Sequence, residues 1–124
     1  MDEYDPNQAP NPSVWLELDE GTRIVLVLEH HGDADEALLD EQVHASFHVT
    51  VENQVAMGEE PVPATIERLT REGLDRHEAV HAVGAVLEEN VQALLNAGKG
   101  EFDKHRYRNR LDKLTAKRWR KGKW

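Results

Sequence analysis

Residues 75–97 read DRHEAVHAVGAVLEENVQALLNA, and this stretch decides the fold. Val80, Val83, Leu87, Val91 and Leu94 recur at three- and four-residue intervals, which places them on one face of an α-helix. Asp75 stands at the N-cap position with Glu78 three residues on, the pattern of a capping box. Gly98 and Gly100 end the run.

Upstream, residues 40–58 read DEQVHASFHVTVENQVAMG. Val43, Phe47, Val51 and Val55 keep a strict four-residue spacing and predict a second helix, closed by Gly58. The HVTVE portion alone also suits a strand. Residues 59–63, EEPVP, break the chain, and 64–74 form a short amphipathic helix with Ile66, Leu69 and Leu74 inward. Segment 14–31, VWLELDEGTRIVLVLEHH, has two readings. Asp19 caps a helix from Glu20 to His31, the preferred one, or Ile24–Leu28 forms a short strand after a Glu20-Gly21 turn. Residues 32–39, GDADEALL, read as a loop leading into a helix cap. Residues 103–120 form a basic helix carrying Tyr107, Leu111, Leu114 and Trp119. The expected architecture is all-α: a small bundle of four to five helices in all, with a His-centred domain at 14–103 and a basic C-terminal helix and tail at 104–124. Residues 1–13, rich in acids, Pro and Asn, read as a disordered or loosely docked acidic arm.

Composition excludes several function classes. The chain has 124 residues, enough for one domain with a core. It has no cysteine, so disulfides, thiolate metal sites and cysteine nucleophiles are excluded, and a metal here needs His, Asp or Glu. No apolar run approaches the ~20 residues that span a bilayer. The start lacks a charged-then-apolar signal, so a cytoplasmic protein without a membrane partner is expected. Residues 1–103 hold 5 of the 15 Lys/Arg and 23 of the 24 Asp/Glu; residues 104–124 hold the other ten cations and one Asp. That basic tail interleaves Tyr107, Trp119 and Trp124 with cations, which suits a protein partner or a nucleic acid, or a tail docked on its own acidic body. Gly98-Lys99-Gly100 is too short for a phosphate loop, and neither Ser13 nor Ser46 sits in a nucleophile elbow.

The chemistry lies in the histidines. Four of the 7 form two pairs spaced by four, His44/His48 and His77/His81, where random placement gives roughly 0.4 such pairs on the helical-neighbour criterion. That spacing stacks two imidazoles on one helix face and suits chelation of one ion. On a wheel from His77, His81 falls at about 40° and Glu88 at about 20°, beside a stripe centred at about 290°. From His44, His48 falls at about 40° and Glu52 at about 80°, beside a stripe at about 320°. Both pairs therefore flank their stripes on the same side, and packing the stripes together brings four imidazoles and two carboxylates into one place. A divalent transition metal, zinc first, held by His44, His48, His77 and His81 is the leading reading, with Glu52 and Glu88 as further ligands or orienting groups. Polar packing of the same histidines without a metal is the plain alternative.

His77-Glu78-Ala79-Val80-His81 also spells H-E-x-x-H, in which the Glu acts as general base toward a metal-bound water. Glu78 is the catalytic candidate of a hydrolase reading, with the third ligand from Glu88, Glu101 or the first pair. Leu87 stands where a metzincin needs its third His. His30 and His31 either join the site or serve a helix C-terminus as cations.

The run HASFHVTVENQ at 44–54, Arg68-Leu69, GLDRHEAVHAVGAVL at 73–87, and the late Tyr107 and Leu111 together resemble a bacterial domain-of-unknown-function family, number 1841 in that series. In that family two H-x-x-x-H segments sit on helices, the first followed by Glu-x-Gln or Glu-Asn-Gln, the second in an Arg-His-x-Ala-x-His context. His44, His48, Glu52, Gln54, Arg76, His77, Ala79 and His81 match, and the likeness covers about residues 25–115. The Asn-Pro-Phe-Leu-type lead-in is absent, with Glu41-Gln42-Val43 in its place. The resemblance implies helices around a shared polar centre and supplies no activity.

Overall fold

The computed structural model describes residues 1, 3–31, 41–122 and 124. Its described residues form seven helices and no strand: α1 (Pro12–Glu17), α2 (Glu20–His31), α3 (Glu41–Ala56), α4 (Val62–Arg71), α5 (Arg76–Ala97), α6 (Lys104–Lys113) and α7 (Ala116–Arg120). The all-α reading holds, with more and shorter helices than the four to five expected. None of them is long and apolar enough to cross a membrane. The loop reading of 32–39, and any part the His30 and His31 side chains take in the site, fall outside the described residues and side chains.

Side-chain caps set the boundaries. Asn11 Oδ1 accepts from the Ser13 and Val14 amides and starts α1, with Pro12 at its first position. Leu18 is extended and stops it. Asp19 then accepts from Thr22 N at 2.7 Å and starts α2, as its position predicts. Arg23 on α2 donates back to Leu16 O at the end of α1 and to Trp15 O, which also accepts from Leu18 N. Asp75 caps α5 through Glu78 N at 2.7 Å, and Gly98 closes it in the left-handed conformation at φ 71°.

α3 lies between two hydrophobic clusters. On one side Ala45 and Val49 pack with Tyr4, Trp15, Leu26 and Val27. On the other, Val51 packs with residues of α4, α5 and α6, flanked by Phe47 and Val55. The single stripe expected on α3 is therefore corrected: Val43 is 50% exposed, and His48 and Glu52, at 3% and 1%, occupy the buried seam between two apolar faces.

The basic segment joins the larger cluster. Tyr107, Leu111, Leu114 and Ala116 are buried there with Ile66, Leu69 and Val83. The one helix expected over 103–120 breaks at Leu114, which is extended, and Thr115 caps a new helix through Arg118 N. Arg106 and Arg110 both hold Glu89, at 2.6 and 3.1 Å, and Arg68 on α4 donates to Leu111 O and Leu114 O. Ala116 N donates to Glu72, and that contact, ahead of the Arg68 charge, lowers the Glu72 pKa.

Of the two readings of the arm, disordered or loosely docked, the contacts of residues 4–7 fit the docked one. Tyr4 and Pro6 are buried, and the Tyr4 ring stands 5.6 Å from that of Trp15. Arg76 donates to Pro6 O at 3.0 Å, and Asn7 Oδ1 accepts from His77 N at 3.2 Å. Composition made the arm look unable to bury enough surface, but one tyrosine and two backbone or amide contacts anchor it.

Candidate metal centre

The two histidine pairs meet where α3 packs on α5. His44 Nε2 lies 3.2 Å from His81 Nε2, and His77 Nε2 lies 2.9 Å from the same atom. The His48 ring centre is 5.2 Å from that of His81 and 5.7 Å from that of His77. One ligand atom each from His44, His48 and His81 falls within 4.8 Å of the other two. His44 is therefore opposite His81, His48 lies between His81 and His77, and Glu52 is opposite Arg76. Partner numbers rise on one helix as they fall on the other, so the helices cross antiparallel in a register that superposes the pairs.

A buried ion pair fixes that register. Arg76, the first residue of α5, grips both oxygens of Glu52 on α3, Nη1 to Oε2 and Nη2 to Oε1, each at 2.8 Å. The pair is bidentate, the geometry in which a guanidinium matches a carboxylate best. Burial works against the Arg76 charge, but the hydrogen bonds and charge of Glu52 outweigh it and raise its pKa. Glu52 also accepts from the Tyr4 hydroxyl, whose oxygen is 2.6 Å from His48 Nε2. Burial, and then the Glu52 charge, push the Tyr4 pKa up, so the phenol keeps its proton. A phenol has one hydrogen, and the carboxylate only accepts. With that hydrogen on Glu52, the Tyr4 oxygen accepts from a protonated His48 Nε2, which leaves Nδ1 as the nitrogen with a lone pair. The chain Arg76–Glu52–Tyr4–His48 thus holds one imidazole in a chosen tautomer.

The remaining candidates fall in different places. Glu88 lines a cavity of about 110 Å³ together with His44, His48 and His81. Glu78 is exposed, and its Oε2 accepts from Trp119 Nε1 at 2.6 Å; Trp119 lines the same cavity. The capping box is thereby half made, with Asp75 bonding Glu78 N while the Glu78 carboxylate turns to Trp119. Glu101 lines a separate hollow toward the other end of α5, with Asn90 and Arg106. Sequence reasoning missed Tyr4 and Trp119 as neighbours of the site, and Arg76 as the partner of Glu52. A signal for Arg76 existed, because a carboxylate bound for a buried seam needs a cation and residues 1–103 have only five. Tyr4 had no local signal. Among the other matched motif residues, Gln54 accepts from the buried Tyr107 hydroxyl at 3.0 Å. Comparison with protein-family models, curated proteins and solved structures gives no match to this chain.

Proposed function

We propose that this protein binds a divalent transition metal, zinc in first place, through His44, His48 and His81, with His77 beside them. The carrying observation is the convergence of three imidazole nitrogens, from two helices, within 4.8 Å. Zn–N bonds of about 2.0–2.1 Å in a tetrahedron set neighbouring nitrogens about 3.3 Å apart. The 3.2 Å between His44 and His81 already suits that spacing. Imidazole donors without thiolate suit zinc, as they do copper, iron and nickel. Glu52 has both oxygens engaged by Arg76 and one by Tyr4, which supports an orienting role rather than ligation. Six of the eight residues matched in the resemblance to the number 1841 family, His44, His48, Glu52, Arg76, His77 and His81, meet here.

A bound metal would supply Lewis acidity at this point of the helix pair. The hydrolase variant of the reading requires Glu78 to leave Trp119 and face the metal. The adaptor reading through 104–124 has to share that segment with the core. The test is metal content by plasma mass spectrometry on untagged protein beside His44→Ala and His81→Ala. Near-stoichiometric metal in the parent and its loss in both variants is expected. No metal after reconstitution with zinc, iron and manganese overturns the proposal.

A further inference from the structure

Resting on the metal reading, we propose that the centre keeps one coordination position open to a small neutral molecule, held in the cavity between α3, α5 and α7. The ligand class is a compact apolar body bearing one Lewis-basic oxygen or nitrogen, as in a short-chain amide. The three histidines that line the cavity are the same three whose ligand atoms converge. A metal on them therefore sits at the cavity wall, and three protein ligands leave a tetrahedral ion one position for an exogenous donor. The remaining lining is largely apolar, with Phe47, Val80 and the Trp119 ring. About 110 Å³ is well above the ~10–15 Å³ that one water requires, and is room for a handful of non-hydrogen atoms.

Two features set the character of the ligand. Glu88 lines the cavity, so an anion drawn by the metal's charge would also meet a carboxylate there, which a neutral donor does not. Gly84 and Ala85 form the small-residue side of the cavity. Gly84 sits inside α5 without a positive φ, and a methyl there meets Val51 Cγ2 at 3.9 Å, an ordinary contact. A mid-helix glycine is less favourable than alanine, and here neither backbone conformation nor crowding demands it. Keeping the cavity open is a reason for it.

The experiment loads the full chain with Co²⁺ and follows the visible d–d absorption during titration with isobutyramide and with 1-adamantanecarboxamide. A saturable spectral change with isobutyramide and none with the bulky amide is expected. Ala85→Leu should bind Co²⁺ as the parent does and bind isobutyramide at least tenfold more weakly. His77→Ala, which leaves the cavity lining intact, is titrated beside the parent. Co²⁺ bound with a spectrum indifferent to isobutyramide overturns this inference and leaves the metal reading standing. A response confined to His77→Ala identifies His77 as a fourth ligand and also overturns it, as does equal binding of both amides. Failure to bind Co²⁺ overturns the metal reading and this inference together.

Discussion

Replacing Arg76 by Met tests the register device directly. Methionine keeps much of the length and apolar bulk of the arginine stem and removes its charge and both hydrogen bonds. Glu52 then remains in the seam between two hydrophobic clusters, with a side chain of 0% exposure and only the Tyr4 hydroxyl as a donor from the original set. Removing one partner of a buried ion pair costs about 3–5 kcal/mol, because the other charge is left uncompensated. The surviving Tyr4 bond argues for the lower part of that range, about 3 kcal/mol. For a chain of this size each kcal/mol moves the melting temperature by about 4 °C, so a drop of about 12 °C is expected.

Urea unfolding of the metal-free protein, followed by circular dichroism, measures this cost. The companion Glu52→Leu/Arg76→Met replaces the pair by apolar groups, a change that is often neutral or stabilising. The double variant should recover most of the stability lost in Arg76→Met, a coupling of at least about 2 kcal/mol between residues in contact. It should nevertheless bind zinc about 10–100-fold more weakly, because Tyr4 has lost the carboxylate that orients it toward His48. A cost below about 1 kcal/mol for Arg76→Met, or a double variant as unstable as the two single ones added together, refutes the reasoning.

Tyr4→Phe keeps the ring on Trp15 and removes the hydroxyl; a loss of about 1.5–3 kcal/mol is expected for a buried bond to a charged group, with weaker zinc binding by calorimetry. Unchanged stability and affinity would show that the arm is not coupled to His48. Deleting residues 104–124 removes Tyr107, Leu111 and Leu114 from the larger cluster, each worth about 2–5 kcal/mol, against a total stability of about 5–15 kcal/mol. The truncated chain should lose its helical circular dichroism, and a folded product speaks against a shared core. Glu72 is held below its ordinary 4.5 mainly by Ala116 N. A depressed carboxylate contributes stability that is complete above its unfolded pKa and is lost as pH falls through the folded one. Glu72→Gln should therefore flatten the stability profile below pH 4.5, and an acid limb unchanged from the parent counts against that contact.

Helix ends were the most legible part of the fold, since they depend on neighbours in sequence. Asp19, Asp75 and Gly98 act where their positions said they would, because a cap is satisfied within its own turn. Breaks inside a predicted helix were less legible. Thr115 looked like an interior residue of a basic helix, yet it caps α7 while Leu114 turns into the core. Local propensity permits either outcome there, and burial of Leu114 decides it. The arm left two readings open for a related reason: mean composition weighs thirteen residues equally, whereas docking rests on Tyr4, Pro6 and Asn7.

The histidine centre was readable because its chemistry repeats at helical spacing on two helices, and its supporting carboxylate was placed on the correct side of the seam. Its architecture was not, and α3 shows why. A single-stripe reading assumes one apolar neighbour, so it assigned Val43 inward and left His48 and Glu52 at an edge. In the fold α3 has neighbours on both sides, Ala45 and Val49 facing one cluster and Val51 the other. The edge of one stripe then becomes the interior of two. A carboxylate in that position is tolerable only with a cation and a hydroxyl on it, and both come from far along the chain, Arg76 at the start of α5 and Tyr4 in the arm. The same charges that make the seam costly without partners make it selective: the helices satisfy Glu52 in one register, and that register brings His44 opposite His81. The polar centre thus specifies the fold that assembles it, which is why removing Arg76 should disturb helix packing and metal binding together, and restoring apolar packing should rescue only the first.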